Sequence, residues 1–205
     1  ASRLHHGRSL ASPDDVSYLR PIDDLLTPQG PNDPPRGQHL LRTPGYGLLY
    51  LAVRLVWPYP DALSVLVLLQ CLLYAAAVAL LHHTLKRHRI ARWTSWMSTL
   101  LLATMPMFHG FLFHTLTEGL TPALCLAVLC CALNYNGAQD HRWLWSGVFL
   151  WAWLVLTRPV LVWAGVPLLI AVWNIAPHAL RVRRMGLVLM LGLLPTGAWW
   201  LRNVI

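Results

Sequence analysis

The residues able to do chemistry in this chain are few and unevenly spread. Four of the eight acidic residues, Asp14, Asp15, Asp23 and Asp24, fall within SPDDVSYLRPIDDLL, residues 12–26. The single glutamate, Glu118, lies in TLTEGL, and Arg158 lies in LVLTRPVLVW, where Pro159 breaks an apolar run. A positioned carboxylate takes the proton from an attacking hydroxyl or amine. A guanidinium grips a phosphate through two parallel N–H donors. Each group also has a plainer reading. Ser12-Pro13-Asp14-Asp15 is nearly a capping box, whose acids would favour a helix start by about 0.3–1 kcal/mol. Thr115-Leu116-Thr117-Glu118 fits the same pattern. Arg158, and Arg202 in WWLRNVI, could instead extend along apolar surface toward the interface. Pro21 is expected to interrupt the first helix, leaving Asp23 and Asp24 structural or solvated ahead of the TPQGPNDPPRG loop.

The elements that must position these groups are apolar helices. Of 205 residues, 56% are hydrophobic and 12% charged, and the mean hydropathy is +0.49. Soluble domains carry about a quarter charged residues. Eleven Trp add an interfacial aromatic signature. The expected fold is all-α, a polytopic transmembrane bundle with an external first loop containing short interfacial helices. Residues 1–42 form that loop, 43–60 an interfacial helix and turn, and 61–205 the bundle. Six spans are expected, at 61–85, 93–113, 116–135, 143–157, 159–176 and 186–202. The stretch YGLLYLAVRLVW, 46–57, is too short to span and carries Arg54, which suits an interfacial or re-entrant helix.

The net charge of +8 is set in short clusters between apolar runs, which argues for membrane topology and against nucleic acid. KRHRIAR (86–92) holds four basic residues, HALRVRR (178–184) three, and the 136–142 turn has Arg142. The positive-inside rule puts these in the cytoplasm, so residues 12–26, Glu118, Arg158 and Arg202 share the external side. The four Cys lie in apolar spans without a CxxC and read as packing residues. His82, His83 and His88 flank the basic turn and read as interfacial, while His109 and His114 lie near Glu118 as weak metal-ligand candidates. No Walker loop, nucleophile elbow, HExxH or dinucleotide fingerprint is present. The start at Ala1 and the end directly after an apolar run lead to the expectation that the chain is truncated at both ends.

In order, the chain holds PDDVSY, RTPGYGLLY, the basic turn, TLTEGL, TRP and WWLRN. From about Ser12 to Asn203 this resembles the N-terminal half of the GT-C membrane glycosyltransferases. The nearest group is the dolichyl-phosphate-mannose–protein mannosyltransferase-like one (glycosyltransferase family 39-like), with its bacterial aminoarabinose-transferase relatives. The resemblance implies an enzyme that moves a sugar from a polyprenyl-phosphate donor to a protein, lipid or glycan acceptor. Its active site would open on the periplasmic or lumenal face, here of a bacterial inner membrane. Asp14 and Asp15 match the family's catalytic Asp-Glu pair, with Asp in place of the second Glu. Arg42, Arg158 and Arg202 would hold the donor phosphate, and Tyr18, Tyr46, Glu118 and His114 would line the substrate cavity. The resemblance fixes no cofactor, and a divalent cation, Mg or Mn, is an open option at Asp14 and Asp15. The family's first membrane helix and soluble C-terminal part have no counterpart in these 205 residues. Two other classes stay open: a transporter or flippase, which would place its charges at mid-span, and an inactive fragment or scaffold.

Overall fold

The structure is a computed structural model that describes residues 16–26, 43–59, 61–106, 112 and 117–204. Among the described residues it is all-helical, with no strand. The helices are α1 (Val16–Leu26), α2 (Gly45–Arg54), α3 (Asp61–Arg87), α4 (Arg92–Thr104), α5 (Thr117–Ala138) and α6 (His141–Thr157). A 3-10 segment, Pro159–Gly165, then leads into α7 (Val166–Ile175) and α8 (His178–Val204).

Among the described residues, three helices are long and apolar enough to cross a membrane: Asp61–Arg87, Thr117–Ala138 and His178–Arg202. The other expected spans are helical but shorter, and the reasons are local. Helix α4 has 13 residues, about 20 Å at 1.5 Å per residue, against a hydrocarbon core of about 30 Å. It stops where Met105 turns extended (ψ 112), as a residue before proline prefers. The run 159–176 is divided into the 3-10 segment and α7, with Leu161 outside helical geometry (φ −90, ψ 19). Helix α6 reaches 17 residues before Arg158 and Pro159 end it.

Pro21 does not interrupt α1, contrary to the sequence expectation; the helix runs on through it to Leu26. A proline within a helix removes a single backbone donor. Here the apolar face of α1 holds the turn in place: Leu19 is buried in a cluster with Tyr46, Leu49, Tyr50 and Val53 of α2, and Tyr18 and Ile22 pack against it.

The chain reverses through short turns that gather at one end. The α3–α4 turn passes through Arg89 at φ 56 and the α5–α6 turn through Gln139 at φ 55. Asp140 then caps α6, its Oδ1 accepting from the Arg142 amide at 2.9 Å. Asn134 of α5 donates to Thr84 of α3 at 2.7 Å, and the Tyr135 ring lies 6.0 Å from that of His141. Trp143 of α6 packs in one cluster with Ala176 and Met185. All three basic turns therefore sit together. Lipid gives no hydrophobic drive between helices, so close packing and interhelical hydrogen bonds carry the association. Trp151 shows the packing. It is 1% exposed, and a Cβ on either Gly165 or Gly192 would come within 2.2 Å of its ring. Trp93, Trp96, Trp145 and Trp173 are exposed toward the basic end, and Trp57, Trp163 and Trp200 toward the other. These are two aromatic belts of the kind that mark membrane interfaces.

Candidate functional site

The end opposite the basic turns brings together α1, α2 and the ends of α3, α5 and α6 that lie away from those turns. Glu118 stands in the first turn of α5, where a carboxylate complements the exposed amides. Arg158 follows the last residue of α6 and is extended (φ −142, ψ 98), the conformation a residue before proline prefers. That conformation turns it away from the α6 axis and onto α5. Its Nη2 donates to Glu118 Oε1 at 2.6 Å, and the hydroxyl of buried Thr117 donates to Oε2 at 3.0 Å. The pair is open to solvent, at 38% and 29% side-chain exposure for Arg158 and Glu118.

Helix α2 enters this site through its glycine. A Cβ at Gly45 would stand 2.5 Å from Thr157 Oγ1 and 2.6 Å from the Leu156 carbonyl carbon. Only glycine fits there, so TPGYG of the sequence is the point where α2 presses on the end of α6. Trp153 Nε1 donates to the Gly45 carbonyl at 2.9 Å, and the Thr43 hydroxyl donates to the Thr157 carbonyl at 3.1 Å. The chain one residue after Arg42 is thereby bonded to the residue before Arg158.

Tyr46 is fully enclosed, and its hydroxyl donates to Gln70 Oε1 at 2.7 Å. It presents no surface to a substrate and acts as the pin between α2 and α3. Tyr18 is half-buried, its ring edge-on to that of Tyr46 at 6.1 Å. Arg202 is exposed near the end of α8, its guanidinium carbon 5.1 Å from the Trp199 ring centre. Among the described residues it has no carboxylate partner. Asp14, Asp15, Arg42, His109 and His114 lie outside the described residues. Among the described residues no three His, Cys, Asp or Glu side chains group as metal ligands.

A second polar group was not visible in the sequence. Asp23 Oδ1 accepts from Arg54 Nε at 2.8 Å, and both its oxygens accept from the Tyr50 hydroxyl at 3.1 Å. Tyr50 and Arg54 stand four apart on one face of α2, which is the spacing that could have signalled a shared partner. Burial, then the charge of Asp23, pushes the Tyr50 hydroxyl well above its ordinary range; the hydrogen bond to Asp23 holds Arg54 more firmly protonated. The group clasps α1 to α2.

Comparison with protein-family models, with curated proteins and with solved structures finds no match to this chain.

Proposed function

We propose that the chain is the core of a polytopic membrane glycosyltransferase of GT-C type, using a polyprenyl-phosphate-linked sugar on its external face. The observation that supports this reading is the meeting of Gly45, Glu118 and Arg158, from three separate stretches of the chain, at the end away from the basic turns. Those stretches are RTPGY, TE and RP of the resemblance. In this reading the shorter helices α4, α6 and α7 complete a six-span bundle by leaning on the three long ones.

The reaction assigns each group one task. The acceptor O–H or N–H loses its proton to a carboxylate of the Asp14–Asp15 pair as its heteroatom attacks the anomeric carbon. The bond from that carbon to the phosphate oxygen breaks, and the polyprenyl phosphate departs with one more negative charge. Arg158 stabilises that charge most in the transition state, where it is developing. Glu118 holds the guanidinium at the surface before the donor arrives.

The test is sugar transfer in membranes at matched expression. Arg158→Ala is expected to lower transfer more than Arg158→Lys, because Lys keeps the charge but loses the planar fork. Asp14→Asn or Asp15→Asn is expected to lower turnover about 100-fold or more, the scale of a lost general base, while Asp24→Asn stays within a few-fold. Full transfer by both Arg158 variants and by the doubly substituted Asp14/Asp15 chain would end the proposal.

A further inference from the structure

The basic end has a chemistry of its own that sugar transfer does not use. The turns 86–92, 139–142 and 178–184 carry eight Lys and Arg against the single carboxylate of Asp140. One of these cations is held in a built setting. The guanidinium carbon of Arg181 lies 4.6 Å from the centre of the Trp173 ring, and Nη1 donates to His178 Nδ1 at 3.4 Å. Arginine only donates, so in this contact the ring nitrogen is the acceptor. The Nε of Arg181 is buried, with no hydrogen-bond partner among the described residues. Enclosed by the protein, Nε is out of a ligand's reach, so a phosphate would meet the guanidinium at its Nη edge.

What runs away from this point is apolar. Val166, Ile170 and Trp173 recur at i, i+4 and i+7 along α7, and they are 40%, 56% and 50% exposed. Trp163, 77% exposed, continues the stripe toward the other end of the bundle. A soluble anion, an acidic peptide or an RNA would answer the cations and leave this stripe uncovered. A phospholipid answers both, its phosphodiester at the guanidinium and its acyl chains along the helix. A zwitterionic headgroup would bring an ammonium group to a surface already crowded with cations, so the net anionic headgroup is favoured.

We propose that Arg181, Trp173 and His178 form a binding site for the phosphodiester of an anionic glycerophospholipid, with the acyl chains against Val166 and Ile170. The site is independent of the Glu118–Arg158 end and of any reaction there.

The experiment is a lipid titration of the purified chain in detergent, read by native mass spectrometry. The probes are phosphatidylglycerol, phosphatidylcholine and soluble glycerol 3-phosphate. Phosphatidylglycerol is expected to be retained in preference to phosphatidylcholine, and glycerol 3-phosphate not to compete. Arg181→Gln and Trp173→Leu should each weaken phosphatidylglycerol retention by about fivefold or more, roughly 1 kcal/mol. Arg183→Gln, at an exposed arginine of the same turn, should change it by less than about twofold. If Arg181→Gln fails to fold, Arg181→Lys decides in its place, since it keeps the charge and loses the fork and the stack. Equal retention of the two lipids, or an equal loss in the Arg181 and Arg183 variants, would overturn the site. So would competition by glycerol 3-phosphate, which would mark a soluble-anion site.

Discussion

Arg158 and Glu118 meet through one short hydrogen bond, with a third or so of each side chain in solvent. A pair of that kind contributes about 0–1 kcal/mol, because water screens it and two long side chains must be held still. It is therefore strong enough to aim the guanidinium and too weak to keep a phosphate out. A donor phosphate would have to share or replace the carboxylate, which makes Glu118 a competitor for the anion it helps to receive. Glu118→Gln is accordingly expected to tighten binding of a prenyl phosphate, by about fivefold at most, the ceiling set by the strength of the pair. Arg158→Gln is expected to weaken it. Affinity of the purified protein for a short prenyl phosphate, with the uncharged prenol as control, reads both. Weaker binding in Glu118→Gln would turn the residue into a positioning group for Arg158 while leaving the phosphate role intact. Unchanged binding in Arg158→Gln would remove the phosphate role itself.

Helices α1 and α2 show how an element is held by a few polar contacts, and why sequence patterns anticipate such contacts poorly. The apolar runs marked where helices form, since every backbone donor and acceptor in lipid must be satisfied within the segment. They did not mark where α1 goes. Pro21 looked like a break because a proline mid-helix forfeits a hydrogen bond, yet tertiary packing of Leu19 and Ile22 on α2 outweighs that loss. With α1 continuous, Asp23 reaches Tyr50 and Arg54 and becomes structural. Asp23→Asn should lower stability by about 1 kcal/mol, a charge-assisted contact discounted for its partial exposure. The same clasp has a pH signature. Tyr50 is raised in the folded state, so its contribution is complete below the ordinary tyrosine value of about 10 and is lost as pH rises through the folded value. Denaturant unfolding in detergent should show a fall in stability above about pH 10 that Tyr50→Phe diminishes. An identical alkaline fall in both proteins would exclude the clasp as its source. Gly45 is the counterpart case: the glycine was plain in TPGYG, but that its hydrogen faces the end of α6 depends on a contact more than a hundred residues away.

Taken as a whole, the molecule separates its charges along the bundle axis, and this was the part most open to sequence reasoning. Clusters of Lys and Arg alternate with loops nearly free of them, and a helix hairpin returns alternate loops to the same end. That logic already required Glu118 and Arg158 to share a side; the distance of 2.6 Å between them was beyond it. Lengths were less legible, because apolar content persists through Met105-Pro106 and Arg158-Pro159, where the residue before the proline turns extended and the helix ends. Helix α3 offers the cleanest check of the axis. Its ends, Asp61 and Arg87, are both exposed, and its 27 residues separate them by roughly 40 Å, enough to reach both interfaces of a bilayer. Single cysteines can be placed at each end after replacement of Cys71, Cys125, Cys130 and Cys131, which are free thiols. In intact cells a membrane-impermeant maleimide is expected to label Asp61→Cys at once, and Arg87→Cys only after permeabilisation. Labelling of position 87 from outside, with position 61 protected, would invert the bundle. It would put Arg158 and Glu118 in the cytoplasm, where an externally facing lipid-linked sugar could not reach them.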